Sequence, residues 1–579
     1  MRNAKIVCTL GPASASHEQV RALAEAGMTV ARINASHGSL ADRRELIEVV
    51  RDVDAETDAP VAVMLDTQGP EVRTAPLDEP IHLEQGQAVR FVEGETATPE
   101  EIGLSNSIAA VEPGSRVLID DGRIEAVVER VRGETVVAHV RSGGELGGRK
   151  GVNVPGVDLG LDVVTEKDRE DLRLAAETDV DFVAASFVRD AGDVHAVSET
   201  IEEFGGDVPI VAKIERADAV DALDGIIDAA YGVMVARGDL GVECPMEDVP
   251  MIQKRIIRRC QAAGVPVITA TEMLDSMARA RRPTRAEASD VANAVLDGTD
   301  AVMLSGETAV GDHPAYVVRT MDRIVREVEA SEEYAELLEQ RVPAADEGRT
   351  DALARSARFL ARDLDASAVV VASESGYTAR KTAKFRPGVP VVATTPNDDV
   401  RRQLALSWGV NAQYAEHTPE GATAIIENAV SAAIDAGAVE SGDTVVVISG
   451  MMTELEGTDT ANMLKIHVAA ETLGVGRSVV GGRAVGPVAR PEGGDLSTVP
   501  EGAVLFLGAD WDAEFEGDLD RIGGIVDESE GVTGYPAVVG RELGVPMVSG
   551  VSLAVEDGEV VTIDAERGIV YGGEIRQRR

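Results

Sequence analysis

The sequence predicts an α/β protein built around a closed ring of eight parallel strands, a (β/α)8 or TIM barrel. Two observations predict it: short β-rich runs alternate with longer amphipathic stretches from the start to about residue 325, and there are eight such runs. They are KIVCTL from Lys5, TVARINAS from Thr29, PVAVMLDT from Pro60, DFVAASFV from Asp181, PIVAKIE from Pro209, YGVMVARGD from Tyr231, PVITAT from Pro266 and AVMLS from Ala301. A third observation predicts an insert. Between about Glu71 and Gly156 the text turns to alternating runs with Gly turns, such as RVLIDDGRIEAVVERVRGETVVAHV, which read as hairpins of a small all-β lid over the barrel mouth.

The barrel is thus expected at residues 1–70 and 156–327, with the lid at 71–155. A charged helical connection near Glu327 to Glu347 leads into a second βα series, SAVVVASES, PVVATTP and DTVVVISG, expected as a C-terminal α/β domain at 345–470. A stretch rich in Gly, GVGRSVVGGRAVGPVARPEGG, then opens a last β/α segment at 480–579.

Length and composition agree with several domains, because 579 residues with 44% hydrophobic content exceed one ordinary core. The 55 Lys+Arg against 101 Asp+Glu leave a formal net charge of -46, and the acids are spread along every segment. That balance argues against nucleic acid or an anionic membrane as partner. Lysine is scarce, confined to Lys5, Lys150, Lys167, Lys213, Lys254, Lys381, Lys384 and Lys465, which resembles a salt-adapted, halophilic proteome. At about 1 M salt the Debye length shrinks to about 3 Å, so a dense carboxylate surface mainly holds water. Cys8, Cys244 and Cys260 form no paired framework, the start lacks a signal-peptide stretch, and a cytoplasmic protein is expected.

In a barrel of this kind reacting groups come from the C-terminal ends of the strands. Polar residues collect there. Arg32, Asn34 and Ser36 are two apart and share one side of their strand. The next run ends in Asp66 and Thr67, followed by Glu71 and Arg73; Asn, Ser, Asp and Thr oxygens together suit a hard cation. Lys213 and Glu215 share a face at the end of an interior strand, where an unpaired charge is costly. Two further strands bring Arg237, Gly238 and Asp239, and Thr269 and Thr271. Cations, carboxylates and donors of this kind suit phosphoryl transfer. Spacing alone leaves a Schiff-base lysine open as a second reading of Lys213.

Taken together, ARINASHG, LDTQGPEVRT, KGVNVPG, VAKIE, MVARGDLG, ITATEMLDSM and RRPTRAEASDVANAVLDGTDAVMLSGET resemble the pyruvate kinase signatures, in family order, over roughly the first 470 residues. The resemblance implies an enzyme transferring the phosphoryl group of phosphoenolpyruvate to ADP, with Mg2+ or Mn2+ and K+ as cofactors and a homotetramer as the assembly. Carried over residue by residue, it implies that Lys213 neutralises the phosphoryl group in flight and that Glu215 and Asp239 bind the divalent ion. It gives potassium to Asn34, Ser36, Asp66 and Thr67, phosphate contacts to Arg32 and Arg73, and the substrate carboxylate to the Gly238 and Asp239 amides. Thr271, Ser305 and Glu307 fall where the family protonates the enolate, and Asn34, His37, Arg73 and Lys150 at nucleotide-contacting positions. Gln68 departs from a common lysine and Glu272 from a common glutamine, and Glu71 follows the potassium-dependent pattern.

SESGYTARKTAKFRP resembles the family's effector loop, but Glu374 inside it would repel a sugar phosphate. The last segment, with GVTGYPAVVGRELGVPMVSG, resembles the mobile phosphohistidine domain of phosphoenolpyruvate-utilising enzymes. The family's phosphorylated histidine aligns with Tyr535, and the last of the chain's eight histidines is His467, so the segment is expected to be a structural or regulatory appendage. A relative of phosphoenolpyruvate synthase or dikinase and a non-catalytic phosphoenolpyruvate-binding regulator are the competing readings; the first lacks its histidine, the second needs broken chemistry.

Overall fold

The computed structural model describes residues 2–416, 422–450 and 461–575. These form two compact units, one of residues 2–358, 373–414 and 461, the other of residues 359–372, 415–416, 422–450 and 462–575.

In the first unit, eight parallel strands close into a barrel: β1 (Lys5–Thr9), β2 (Val30–Asn34), β3 (Ala62–Asp66), β4 (Phe182–Ala185), β5 (Ile210–Ile214), β6 (Gly232–Ala236), β7 (Val267–Ala270) and β8 (Ala301–Leu304). Each pairs with its chain neighbour and β8 returns to β1, with Lys5 opposite Ala301. The strands read as continuous apolar runs because both faces are covered. Val7, Val30, Met64, Phe182, Val211, Met234, Ile268 and Met303 fill the interior, while Ile6, Ile33, Val63 and Val183 pack outward against the helices. Leu406, from the short turn Leu404–Leu406, joins the interior cluster.

Side chains on a strand alternate, so two residues beyond each interior apolar position the chain again points inward. Val7 thus leads to Thr9, Val30 to Arg32, Met64 to Asp66, Ala184 to Ser186 and Val211 to Lys213. That uppermost layer is polar.

The insert after β3 forms its own seven-stranded sheet with its own core, which includes Phe91, Ile102, Leu104, Ile119 and Val136. Its edge strand Val72–Arg73 pairs with Gly151–Asn153, so the two ends of the insert leave the barrel side by side. This unit also holds the helix Tyr377–Lys384 and the parallel pair Val391–Thr395 and Val410–Tyr414.

In the second unit, Ala368–Ala372 runs parallel to Thr444–Ser449, which pairs antiparallel with Met463–Val468. An eight-stranded mixed sheet follows. Its parallel part, Ala503–Leu507, Ile522–Asp527 and Met547–Ser549, carries the helix Tyr535–Leu543 between its last two strands. At that helix start the Tyr535 hydroxyl accepts the Phe515 amide N–H at 3.1 Å, and its ring lies 5.6 Å from that of Phe515.

Candidate active site

Lys213 is the hub of the rim. Its Nζ lies 2.8 Å from Glu215 Oε1 and donates to Ser186 Oγ at 2.7 Å and to Asp66 Oδ1 at 3.1 Å. The other oxygen of Asp66 accepts Arg32 Nε at 2.5 Å, and Arg32 Nη1 donates to Thr9 Oγ1 at 2.9 Å. Five strand ends thereby meet in one buried polar network. Burial works against the Lys213 ammonium, yet Asp66 and Glu215 outweigh it and hold the lysine charged well above its ordinary range.

Ser186 and Thr9 were not among the residues singled out from the sequence. Their signal was present, since both continue the alternation set by Ala184 and Val7, but single hydroxyls at a strand end usually cap turns. Ser186 Oγ also donates to the Thr67 carbonyl at 2.7 Å, and Thr67 Oγ1 donates to the Ala184 carbonyl at 3.2 Å. Asn34 Oδ1 accepts the Ser36 N–H at 3.0 Å.

Glu215 Oε2 accepts the Phe187 N–H at 2.7 Å. Burial, then the neighbouring charge of Asp239, pushes the Glu215 carboxyl up despite Lys213; burial likewise pushes Asp239 up, with Asp121 and Glu71 adding repulsion. A buried and a partly buried acid that both resist ionising are a donor set a divalent cation would relieve. Among the described residues no group of three or more His, Cys, Asp or Glu side chains is placed to hold a metal, so further ligands would come from substrate and water. The residues fit such an ion. Around Asn34, Ser36, Asp66 and Thr67 the donors are neutral oxygens plus one carboxylate, a set that fits an alkali cation.

Across the rim, Thr271 Oγ1 accepts the Gly238 N–H at 2.8 Å and donates to the Ala270 carbonyl at 2.7 Å. Thr271 and Glu272 have φ of 69° and 53°, in the left-handed region that side chains rarely adopt. Arg237 holds this bend from beneath: its Nε donates to the Ala270 carbonyl at 3.0 Å and its Nη2 to the Thr271 carbonyl at 2.7 Å, while Asp290 pairs with it at 2.7 Å. Glu307, buried, secures the next turn by accepting the Leu274 N–H at 3.0 Å and the Ser305 N–H at 2.7 Å.

Residues 1–318 match the family description "Pyruvate kinase, barrel domain" and residues 351–467 match "Pyruvate kinase, alpha/beta domain". The pyruvate kinase of Staphylococcus aureus strain MRSA252 is 42% identical over 588 residues, covering 99% of this chain and 99% of its own length. The chain belongs to the pyruvate kinase family. The pyruvate kinases of S. aureus strains USA300 and COL match with the same identity and coverage. Residues 499–568 match "PEP-utilising enzyme, mobile domain", as the tail motif implied.

The other residues the resemblance singled out make their hydrogen bonds and ion pairs outside the Lys213 network. Arg73 is paired with Glu71 at 2.6 Å and donates to the Arg149 carbonyl at 3.0 Å. Lys150 is paired with Asp120 at 2.8 Å, and His37 is exposed on the loop after β2. Gln68 Oε1 accepts Lys167 Nζ at 2.5 Å, so a cation from another part of the chain stands beside this neutral side chain.

Proposed function

We propose that the barrel rim transfers the phosphoryl group of phosphoenolpyruvate to ADP, giving pyruvate and ATP, with Lys213 as the cation that accompanies the moving group. The observation that carries this reading is the Lys213 network: an interior ammonium, kept charged by acids from two strands and oriented by Ser186, at the open end of the ring. A cation fixed before reaction stabilises charge spread over a transferring phosphoryl without reorganising.

Arg32, oriented by Asp66 and Thr9, contacts phosphate, and Arg73 contacts it from the insert. The Gly238 and Asp239 amides receive the substrate carboxylate at the start of the helix Arg237–Glu243. Transfer breaks the bond between the enol oxygen and phosphorus and forms one to a β-phosphate oxygen of ADP. The enolate then takes a proton at its terminal carbon, delivered by water held near Thr271, whose turn Arg237, Ser305 and Glu307 keep in place. Mg2+ or Mn2+ at Glu215 and Asp239, with K+ at Asn34, Ser36, Asp66 and Thr67, supplies further neutralisation of phosphate charge. Asn34, His37, Arg73 and Lys150 serve the nucleotide, and the insert at 71–155 acts as a lid that excludes water.

A homotetramer in the cytoplasm is the assembly and location we assign, the family being the support for both. Within the described residues no helix is long and apolar enough to cross a membrane. A lactate-dehydrogenase-coupled assay tests the function: pyruvate forms only with ADP, and more slowly without potassium. Pyruvate released with water or AMP in place of ADP rejects it. The halophilic reading, supported by the net charge of -46, predicts loss of activity on dialysis to low salt.

A further inference from the structure

A small cavity lies far from the rim chemistry, beside the starts of β7 and β8. Gly264, Val265, Pro266 and Asp300 line it from the barrel, and Arg380, Lys384, Arg386 and Ser407 from the segments around the helix Tyr377–Lys384. Its volume is about 10 Å³, the least that admits one water-sized particle.

Arg380 Nε, Arg386 Nε and Ser407 Oγ are buried and have no hydrogen-bond partner among the described residues. Arg386 is 3% exposed and Ser407 1% exposed. Leaving a buried donor unmade costs about 1–3 kcal/mol, and more for a charged group. The cations differ in how they are balanced. Lys384 is neutralised by Asp346 at 2.8 Å and Asp351 at 2.7 Å, and Arg386 lies 3.1 Å from Asp300. Arg380 has no carboxylate within ion-pair distance among the described residues; its guanidinium carbon instead sits 4.3 Å from the centre of the Tyr231 ring.

Arg380 Nε and Arg386 Nε can only donate, and the Ser407 hydroxyl can donate as well. Asp300 answers only Arg386 Nη1, its Oδ1 lying 3.1 Å from that nitrogen while accepting the Trp408 N–H at 3.3 Å, and its Oδ2 accepts the Val267 N–H at 3.0 Å. A water accepts two hydrogen bonds and must also place two protons of its own. A halide accepts from every side and offsets the charge of Arg380. The available space excludes anything larger than a few atoms.

We propose that this cavity binds one monatomic anion, chloride in the cell, held by Arg380, Arg386 and Ser407. The ion joins the barrel at Pro266 and Asp300 to the helix that follows the Ser373–Gly376 turn. In a chain of net charge -46 it supplies a specific need for salt, separate from the screening any electrolyte provides.

Two measurements test the proposal. Crystals of the full chain soaked in potassium bromide are expected to show an anomalous peak within hydrogen-bond distance of Ser407 Oγ and Arg386 Nε. A water there, or no bromide peak, overturns the site. In solution, the melting temperature in potassium chloride is expected to exceed that in potassium glutamate of equal ionic strength by on the order of 1–2 °C. Arg380→Gln with Ser407→Ala is expected to erase that difference while keeping the response common to both salts. A chloride increment that persists in full in the double variant overturns the proposal.

Discussion

The two ends of the barrel strands use charge in opposite ways. At the base every prominent acid is answered. Asp181 accepts Arg51 Nη1 at 2.7 Å, the Val63 N–H at 2.6 Å and Arg402 Nε at 2.9 Å, and Asp54 pairs with Arg401 at 3.0 Å. At the rim, Glu215, Asp239 and Glu307 are all pushed up by burial, and Thr271 and Glu272 occupy a strained backbone region. The same strands therefore anchor the fold at one end and at the other hold acids that burial keeps from ionising readily.

The comparison is most sharply tested by Lys213→Met. Activity in the coupled assay is expected to fall at least about 10²–10³-fold, because the developing charge loses its fixed partner. Circular dichroism is expected to remain that of the folded protein. Asp181→Asn probes the other end and should destabilise by about 3–5 kcal/mol, since two arginines lose a buried partner. Its activity per folded molecule should stay near that of the parent below the melting transition, and a large fall in kcat there would break the division between the ends.

Arg237→Lys is expected to cost about tenfold in kcat, as one ammonium cannot hold the Ala270 and Thr271 carbonyls as the guanidinium fork does. An unchanged pH–rate profile with unchanged kcat would show that the bend holds itself. The smallest expected effect concerns Lys5 at the base, whose Nζ donates to the Val410 carbonyl at 2.6 Å. Burial, with repulsion from Arg2, pulls its ammonium down to about 7 against the attraction of Glu329 and Asp300. The unfolded chain then binds more protons than the folded one between about pH 7 and 10.5, so this group's contribution to stability rises with pH across that window. Lys5→Met should flatten that rise in melting temperature. An unchanged slope would place the titration elsewhere.

Much of the rim was legible because strand alternation is a local rule. Arg32, Asp66 and Lys213 follow from apolar residues two places earlier, Glu215, Asp239 and Thr271 stood out at strand ends, and the signature motifs added only the roles they imply. Ser186 and Thr9 obey the same rule but became visible only through what they touch. A hydroxyl carries no charge to mark it, and its meaning depends on a partner from another strand. Arg237 stood in a recognised motif, yet its hold on the Thr271 bend needed coordinates.

By itself, the sequence determined the class of fold, the break in rhythm that becomes the insert, and the residue types gathered at the strand ends. Those are properties of short windows, where periodicity and turn chemistry act between near neighbours. Only the tertiary structure decided which charges are satisfied. Asp181 meets Arg402 across 221 positions, and among the described residues Arg380 is left without a carboxylate although acids abound in the chain. Electrostatic energy depends on distance and burial, and neither is written in the order of residues.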